Sequence, residues 1–300
     1  TASGLYTASF NSQSGCDSSV YLNLTIRHST SSAVNVSNRG CYTWPLNGTT
    51  YTASGVYAKV FNNASACDSI VFLNLTITSG VTLDAKVILS GPYDQSLGLM
   101  HDSLRVLNTI PLTEPYSAPP YNKTAVGDPA GETINVALLN VQGSTAIVDW
   151  IFIELRDALN PGNVIANKRA LLRRDGRMVS TDGYSPVEFA TTNNGYYYVS
   201  VKHRNHLGVM TASALPMSGC TTTVYDFSTA TPVYVNTLIP TPPRKLMGSV
   251  YALWSCDANN NKNVRYNGLS NDKDNILNAV GGAGSVNNTV YNMYRMEDVN

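Results

Sequence analysis

The 300-residue chain carries 20 Lys and Arg against 20 Asp and Glu, a formal net charge of zero, and only 13% of its residues are charged. Ordinary globular chains hold about 25%, so the sequence offers no electrostatic footprint for nucleic acid or anionic lipid. Polarity comes from Ser, Thr, Asn and Gly mixed with 18 Tyr, which suits a secreted β-rich protein and not a cytoplasmic helical enzyme.

The chain opens on a repeat. Thr1 to Ile26 (TASGLYTASFNSQSGCDSSVYLNLTI) returns without a gap as Thr52 to Ile77 (TASGVYAKVFNNASACDSIVFLNLTI), with 17 of 26 positions identical. A period near fifty residues marks an array of modules. Within each copy, Val20–Ile26 and Val71–Ile77 alternate apolar with polar residues, the period of a half-buried strand, and Tyr51–Phe61 alternates similarly. Asn47-Gly48, between Trp44-Pro-Leu46 and Thr49-Thr-Tyr51, signals a hairpin, because both residues tolerate positive φ. The second copy has a lead-in, Cys41 to Tyr51, that the first lacks. Residue 1 is therefore expected to fall inside a repeat of a longer polypeptide, giving a partial module over 1–26 and a complete one over 27–80.

Five cysteines fit such modules. Cys41 and Cys67 are the expected pair of the complete repeat, Cys16 is left with its partner upstream of residue 1, and Cys220 with Cys256 forms a further expected pair. Disulfides would place the chain in an oxidising, extracytoplasmic compartment. Buried thiols are the open alternative.

A second composition starts near Val81. Ala85–Leu89 reads as a short strand stopped by Gly91-Pro92, residues 108–132 as a long Pro- and Tyr-rich loop, and Ile134–Leu139, Ala146–Arg156, Val164–Arg173 and Gly195–Val201 as strands. No helical period is sustained. The expected fold is all-β, with an antiparallel β-sandwich over 81–215. Residues 216–300 are expected to form a C-terminal β segment, with strands near Val233–Leu238 and Met247–Leu253 around the break at Pro240–Pro243.

The sharpest chemical signal is Asp257-Ala-Asn-Asn-Asn-Lys-Asn263. Asp257, Asn259, Asn261 and Asn263 place oxygens at alternate positions, and Asp272 or Asp274 can close a shell of the kind a hard cation such as calcium needs. No Gly stands sixth and no Glu twelfth, so an Asn-rich turn without metal is the open alternative. Asp298-Val-Asn300 begins the same pattern again. His101, His203 and His206 suggest either loop hydrogen bonding or an acid–base site. Glu154 and Asp157 flank Arg156, and spacing alone does not make them a glycosidase pair. No nucleophile elbow, zinc-protease helix or phosphate-cradling loop occurs, so no positive sign of an enzyme is present. Tyr116, Tyr121, Trp150 and Tyr196–Tyr198 are candidate sugar-stacking residues. Asn-x-Ser/Thr triplets stand at Asn23, Asn35, Asn47, Asn63, Asn74, Asn122 and Asn288.

The Cys41–Tyr51 lead-in and the Cys-Asp-Ser-Ile-Val-x-Leu-Asn-Leu-Thr-Ile strand resemble modules of very large secreted surface proteins of Bacteroidota. So do Gly98–Arg105, Tyr198–Thr211 and the Asp257–Leu277 stretch, and together they span nearly the whole chain. The resemblance implies an adhesin- or hemagglutinin-like protein exported by the type IX secretion system, with its sorting domain beyond Asn300. It also implies O-glycans at Ser69 and Ser103, within Asp-Ser-hydrophobic triplets. The expected function is a non-enzymatic adhesin stalk or fibre subunit at the cell surface. Its partners would be neighbouring repeats, copies of itself, or a glycan or other cell-surface ligand, with calcium as cofactor and neither nucleic acid nor a membrane span involved. The alternative is an accessory or carbohydrate-binding part of a larger secreted hydrolase.

Overall fold

The computed structural model describes residues 2–11, 13–63, 67–237, 241–285, 287–291 and 293–298. Leu238, Pro240 and Asn300, which figure in the expectations above, lie outside them. The chain divides into two compact units, 1–78 and 79–300. Both are built almost entirely of strands, and the all-β expectation holds.

In the first unit the repeat is reproduced in three dimensions. Strands β1 (Gly4–Asn11) and β2 (Asp17–Leu24) form an antiparallel hairpin with Gly4 opposite Leu24 and Asn11 opposite Asp17. After β3 (Thr30–Arg39), β4 (Tyr42–Trp44) and β5 (Thr49–Tyr51), the strands β6 (Gly55–Asn62) and β7 (Asp68–Thr78) repeat that register, with Gly55 opposite Leu75 and Asn62 opposite Asp68. The caps repeat too. Ser3 and Ser54 each accept from and donate to the backbone of Ile26 and Ile77, and the hydroxyls of Tyr6 and Tyr57 donate to Ala2 O and Ala53 O. The complete repeat adds β3, which runs parallel to β7 from Thr30/Ser69 to Arg39/Thr78. It also adds the β4–β5 hairpin, whose Trp44 packs on Leu73 and Leu75.

That register overturns the expected Cys41–Cys67 bridge. Cys41 follows the end of β3 that lies beside Thr78, and Cys67 precedes the opposite end of β7. At about 3.3 Å per residue the two are on the order of 30 Å apart, whereas a disulfide needs Cα atoms within about 7 Å. The disulfide-bonded cysteines are Cys41 and Cys220. The Cys220–Cys256 pairing is likewise not formed, since the Cys256 thiol contacts the Ser255 hydroxyl at 3.7 Å.

The second unit is organised by a nine-stranded sheet. Its strands are β8 (Val81–Lys86), β11 (Ile147–Asp157), β12 (Val164–Arg173), β13 (Arg177–Val179), β14 (Val187–Phe189), β15 (Gly195–Lys202), β16 (Val209–Met210), β17 (Leu215–Met217) and β18 (Thr223–Asp226). The hairpins β9 (Tyr93–Asp94) with β10 (Leu99–Met100), and β19 (Lys245–Met247) with β20 (Val250–Ala252), stand outside it. Neighbours are antiparallel except β18, which runs parallel to β8. With β17 on β15 and β18 on β8, the sheet curls until β17 meets both β18 and β8. The concave side encloses the main core, including Leu83, Ile151, Leu155, Leu172, Phe189 and Val201. The expected boundary at 215 falls inside β17, and the sheet continues through Asp226.

The second layer is not another sheet. Ile147, Trp150, Phe152, Leu171 and Val179 on the convex face are covered by the irregular stretch 102–141 through Leu104, Ile110, Tyr116, Tyr121, Ile134 and Leu139. Ile134–Leu139, expected as a strand, instead contains a 3-10 turn over Val136–Asn140, capped by the Asn135 side chain on Ala137 N. Only Ile134 and Leu139 of that run are buried, so its apolar content serves two contacts and not an alternating face. Two short α-helices also appear, α1 (Ser103–Val106) and α2 (Asp272–Ala279), the latter capped by Asn271 on Asp274 N.

Coil laid over an apolar face must satisfy its backbone groups within the protein. Glu114, 3% exposed, accepts from Tyr116 N, Ser117 N and Gly131 N, and Arg169, fully buried, donates to Lys123 O while its Nε faces Glu114 at 3.6 Å. Removing one member of a buried ion pair costs about 3–5 kcal/mol, because the other charge is left unpaired. Glu114→Ala is therefore expected to lower the urea-unfolding free energy of the second unit by about that amount. The isosteric Glu114→Gln with Arg169→Met should recover part of the loss; an unchanged midpoint for Glu114→Ala would show that the coil is held by apolar contacts alone.

Candidate functional site

Past the end of β15 the chain enters His203-Arg-Asn-His206, four consecutive polar residues that are all buried. They close around Asp149, which sits at a register irregularity in β11 and is 1% exposed. Arg204 Nε donates to Asp149 Oδ2 at 2.8 Å and His203 Nε2 donates to the same oxygen at 3.0 Å. The Tyr294 hydroxyl and Trp150 N donate to Oδ1 at 2.6 and 2.7 Å. Tyr294 also stacks on the guanidinium, 4.8 Å from ring centroid to Cζ. The stretch that follows is bound by its carbonyls: Arg204 donates to Arg295 O and Asp298 O, and Asn205 to Asp298 O.

The protonation states follow from the surroundings. Burial would raise the Asp149 carboxyl, yet Arg204, His203 and Tyr294 together hold it well below the usual carboxylate range. Burial lowers His203 in spite of Asp149, and burial, His203 and Arg204 push His206 lower still. Both rings are thus neutral near pH 7, and their partners fix the tautomers. His203 carries its proton on Nε2, facing Asp149. His206 carries its proton on Nδ1, shared between Asn205 Oδ1 at 2.8 Å and His203 Nδ1 at 3.1 Å, and its Nε2 accepts from Gly91 N. Among the described residues, every hydrogen-bond partner of the two rings is an Asp, an Asn, the other ring or a backbone amide. An orienting carboxylate and a base are present, but among the described residues neither ring is hydrogen-bonded to a Ser, Thr or Cys that it could activate. The reading as a buried hydrogen-bond network is the one the geometry favours.

This network forms part of the floor of a cleft of about 810 Å³. Lys123, Arg156 and Lys202 line it, together with Tyr234, Pro242, Pro243 and Trp254 and with Asn260, Lys262, Asn263, Val264 and Arg265 of the following loop. Glu154 pairs with Arg156 and Lys202, each 2.5 Å away. Asp157 caps a turn, accepting from Leu159 N and Asn160 N. Glu154 and Asp157 are thus engaged separately. Tyr116, Tyr121 and Trp150 are core residues, at most 8% exposed, which removes them as stacking platforms. Tyr196 is exposed on β15. His101 lies at the surface, 3.4 Å from Asp94.

The Asn/Asp loop departs from the expected ligand ladder. Asn259 Oδ1 and Asn261 Oδ1 accept the backbone N–H two residues on, and both side-chain amides donate to Ser270 O at 2.8 Å. Asn259, Asn261 and Asn263 therefore form a chain of local turns. Asp274 is exposed beside Lys273, and Asp298 belongs to the Arg204 cluster and not to a second loop. What remains is a carboxylate pair. Asp257 accepts from Asn261 N and Lys262 N, and burial together with the nearby Asp272 charge raises its carboxyl to about 6. Asp272, 2% exposed, accepts from Arg265 N on Oδ2, and its Oδ1 is buried without a partner. Among the described residues, no group of three or more His, Cys, Asp or Glu side chains is arranged to hold a metal. Of the residues expected to carry glycans, Ser103 is exposed at the start of α1, and Ser69 is half-buried in β7, where it accepts from the Thr30 hydroxyl.

The histidine network carries a pH signature. With both imidazoles depressed when folded, the unfolded chain binds more protons below about pH 6.5. Stability is therefore present above that value and falls as the pH is lowered. Asp257, raised when folded, acts in the opposite sense between its ordinary value and about 6. Denaturant titrations from pH 7 to 5 should show falling stability, with a slope shallower by up to about 1.4 kcal/mol per pH unit in His206→Gln. Parallel slopes for the two proteins would mean that His206 does not titrate on unfolding.

No protein-family model matches the chain, and no characterised protein or solved structure does either.

Proposed function

We propose that this chain is a non-enzymatic segment of an extracellular surface protein, part of an adhesin stalk or fibre built from repeated β modules. The observation that carries this reading is the correspondence of the two repeats in ladder register, in the Ser caps on Ile26 and Ile77, and in the Tyr hydroxyl bonds. A motif preserved in backbone geometry as well as sequence is what a tandem array needs, since each module must present the same surfaces to its neighbours. A disulfide and the absence of any helix, among the described residues, long and apolar enough to cross a membrane are compatible with it. So is the resemblance to large secreted proteins of Bacteroidota. In an accessory carbohydrate-binding part of a secreted hydrolase, the second reading, the cleft beside Trp254 would be the binding surface.

Calcium enters this proposal in a narrower form than the sequence suggests. Asp257 and Asp272 are the oxygen donors, with the unpartnered Asp272 Oδ1 as the position a hard cation would satisfy. Its role would be to neutralise two neighbouring buried carboxylates and brace the loop before α2.

Two measurements test these statements. Gold-labelled antibody against the chain should decorate intact source cells; label confined to permeabilised cells would remove the extracellular reading. Millimolar calcium should raise the thermal midpoint relative to chelator, by about 2.7 kcal/mol of stability at a hundredfold excess over Kd. Asp272→Asn should abolish the shift, and an unchanged midpoint in the parent protein would remove the cation.

A further inference from the structure

The cleft beside β15 concentrates charge in a chain that has little. Lys123, Arg156, Lys202, Lys262 and Arg265 all line it, from a total of 20 Lys and Arg in 300 residues. Its one lining carboxylate, Asp257, is buried and turned toward the backbone amides of Asn261 and Lys262. Glu154 answers both Arg156 and Lys202 from below, leaving an excess of one positive charge at that wall. Lys123, Lys262 and Arg265 have no carboxylate partner among the described residues. The crowding is felt at Lys202, whose ammonium is lowered by burial and further by Arg156 and Lys123, against the pull of Glu154.

The same cleft has an apolar lining. Trp254 is fixed by its indole N–H on Pro242 O, with Pro243 and Tyr234 beside it, and the Lys245 ammonium lies 5.8 Å from the indole centroid. A pyranose ring offers a C–H face to such a lining, and anionic substituents on a sugar chain suit the cations that line the same cleft. At about 810 Å³ the cleft has the size of a site for a few sugar units. Single-stranded nucleic acid would call for a series of aromatic platforms along a continuous basic groove, and this cleft has one aromatic wall.

We propose that the cleft between Lys202, Trp254 and the 260–265 loop binds an acidic polysaccharide, a polymer of sugars bearing carboxylate or sulfate groups. The apolar wall takes the sugar face, and Lys262 and Arg265, exposed on the loop, engage the anionic substituents together with Lys123 and Lys202. The proposal rests on the extracellular reading, because it is outside the cell that such polymers are met. It deepens that reading by naming the ligand class at one site.

The test is affinity electrophoresis and calorimetry of the whole chain with polygalacturonate, dextran sulfate, neutral dextran and inorganic polyphosphate. Expected is binding to polygalacturonate or dextran sulfate that weakens as salt rises, with no binding to neutral dextran; the two acidic arms tell carboxylate from sulfate recognition. Lys262→Ala with Arg265→Ala, both on an exposed loop, should weaken binding at least tenfold at an unchanged thermal midpoint. Trp254→Ala should weaken polysaccharide binding. Failure of both acidic polymers to bind at low salt would overturn the proposal, as would equal binding of polyphosphate, or an unchanged affinity in the double variant. Should binding fail while gold still labels intact cells, the ligand class falls and the surface reading stands.

Discussion

The convex face of the large sheet is covered by coil, and the second unit depends on how that coil is satisfied. Trp150 and Phe152 are almost wholly buried beneath a stretch with hardly any regular structure. Regular elements satisfy their backbone within themselves, but coil cannot. The sheet therefore lends it side chains. Asn167 on β12 accepts from Val126 N and donates to Thr124 O, the Trp150 indole donates to Pro111 O, and Tyr116 returns a bond to Trp150 O. Arg169 with Glu114, and Asp149 with Arg204, are the charged members of the same scheme. Each of these ions is buried and bound on several sides, which is the condition under which a charge can be kept out of water.

This scheme explains which parts of the fold could be read from the chain. The strands β7, β11, β12 and β15 follow from alternation or long apolar runs, and their bounds agree with the structure to within a few residues. The parallel pairing of β18 with β8 could not be foreseen, because β18 is four residues long and its partner lies far away in sequence. Ile134–Leu139 misled for a related reason: apolar residues in a covering coil look like those in a strand. One local signal is legible in the chain itself. Gly195-Tyr-Tyr197 repeats the Gly-x-Tyr of Gly4–Tyr6 and Gly55–Tyr57, and in all three the Tyr hydroxyl donates to the carbonyl four residues earlier. A Cβ at Gly195 would stand 3.0 Å from that hydroxyl, so the glycine makes room for the ring.

The functional residues divide along the same line. Spacing offers Asp272 or Asp274 beside Asp257, but alternation of Asn oxygens does not say whether those oxygens face an ion or their own backbone. The Asn259 and Asn261 oxygens face the backbone, while Asp272 keeps one oxygen without a partner. The histidines are visible as a motif, yet Asp149, which His203 meets, lies 54 residues earlier in the chain, and Tyr294, which meets the other oxygen of Asp149, lies 145 residues beyond Asp149. Net charge concealed the cleft altogether. A sum of zero records that cations and anions are equal in number. It does not record that Asp149, Glu114 and Asp272 are buried while Lys262 and Arg265 remain at the surface.

The two hairpins of the first unit sharpen what one module is. Leu22 and Leu73 occupy the same place in the repeat, yet Leu22 is 56% exposed and Leu73 fully buried. The hairpins share their register, so the difference comes from what lies on top: β3 along the edge of β7, and Trp44 with Tyr42 and Tyr51 across its face. Burying a Leu side chain is worth about 1.5–3 kcal/mol, and Leu75, 3% exposed, benefits from the same cover. The strand and hairpin that precede the repeated TASG segment are therefore what give its sheet a core. The sequence repeat is most conspicuous from Thr52 onward, but the structural module begins at β3. Its boundary lies ahead of the segment whose repetition reveals it.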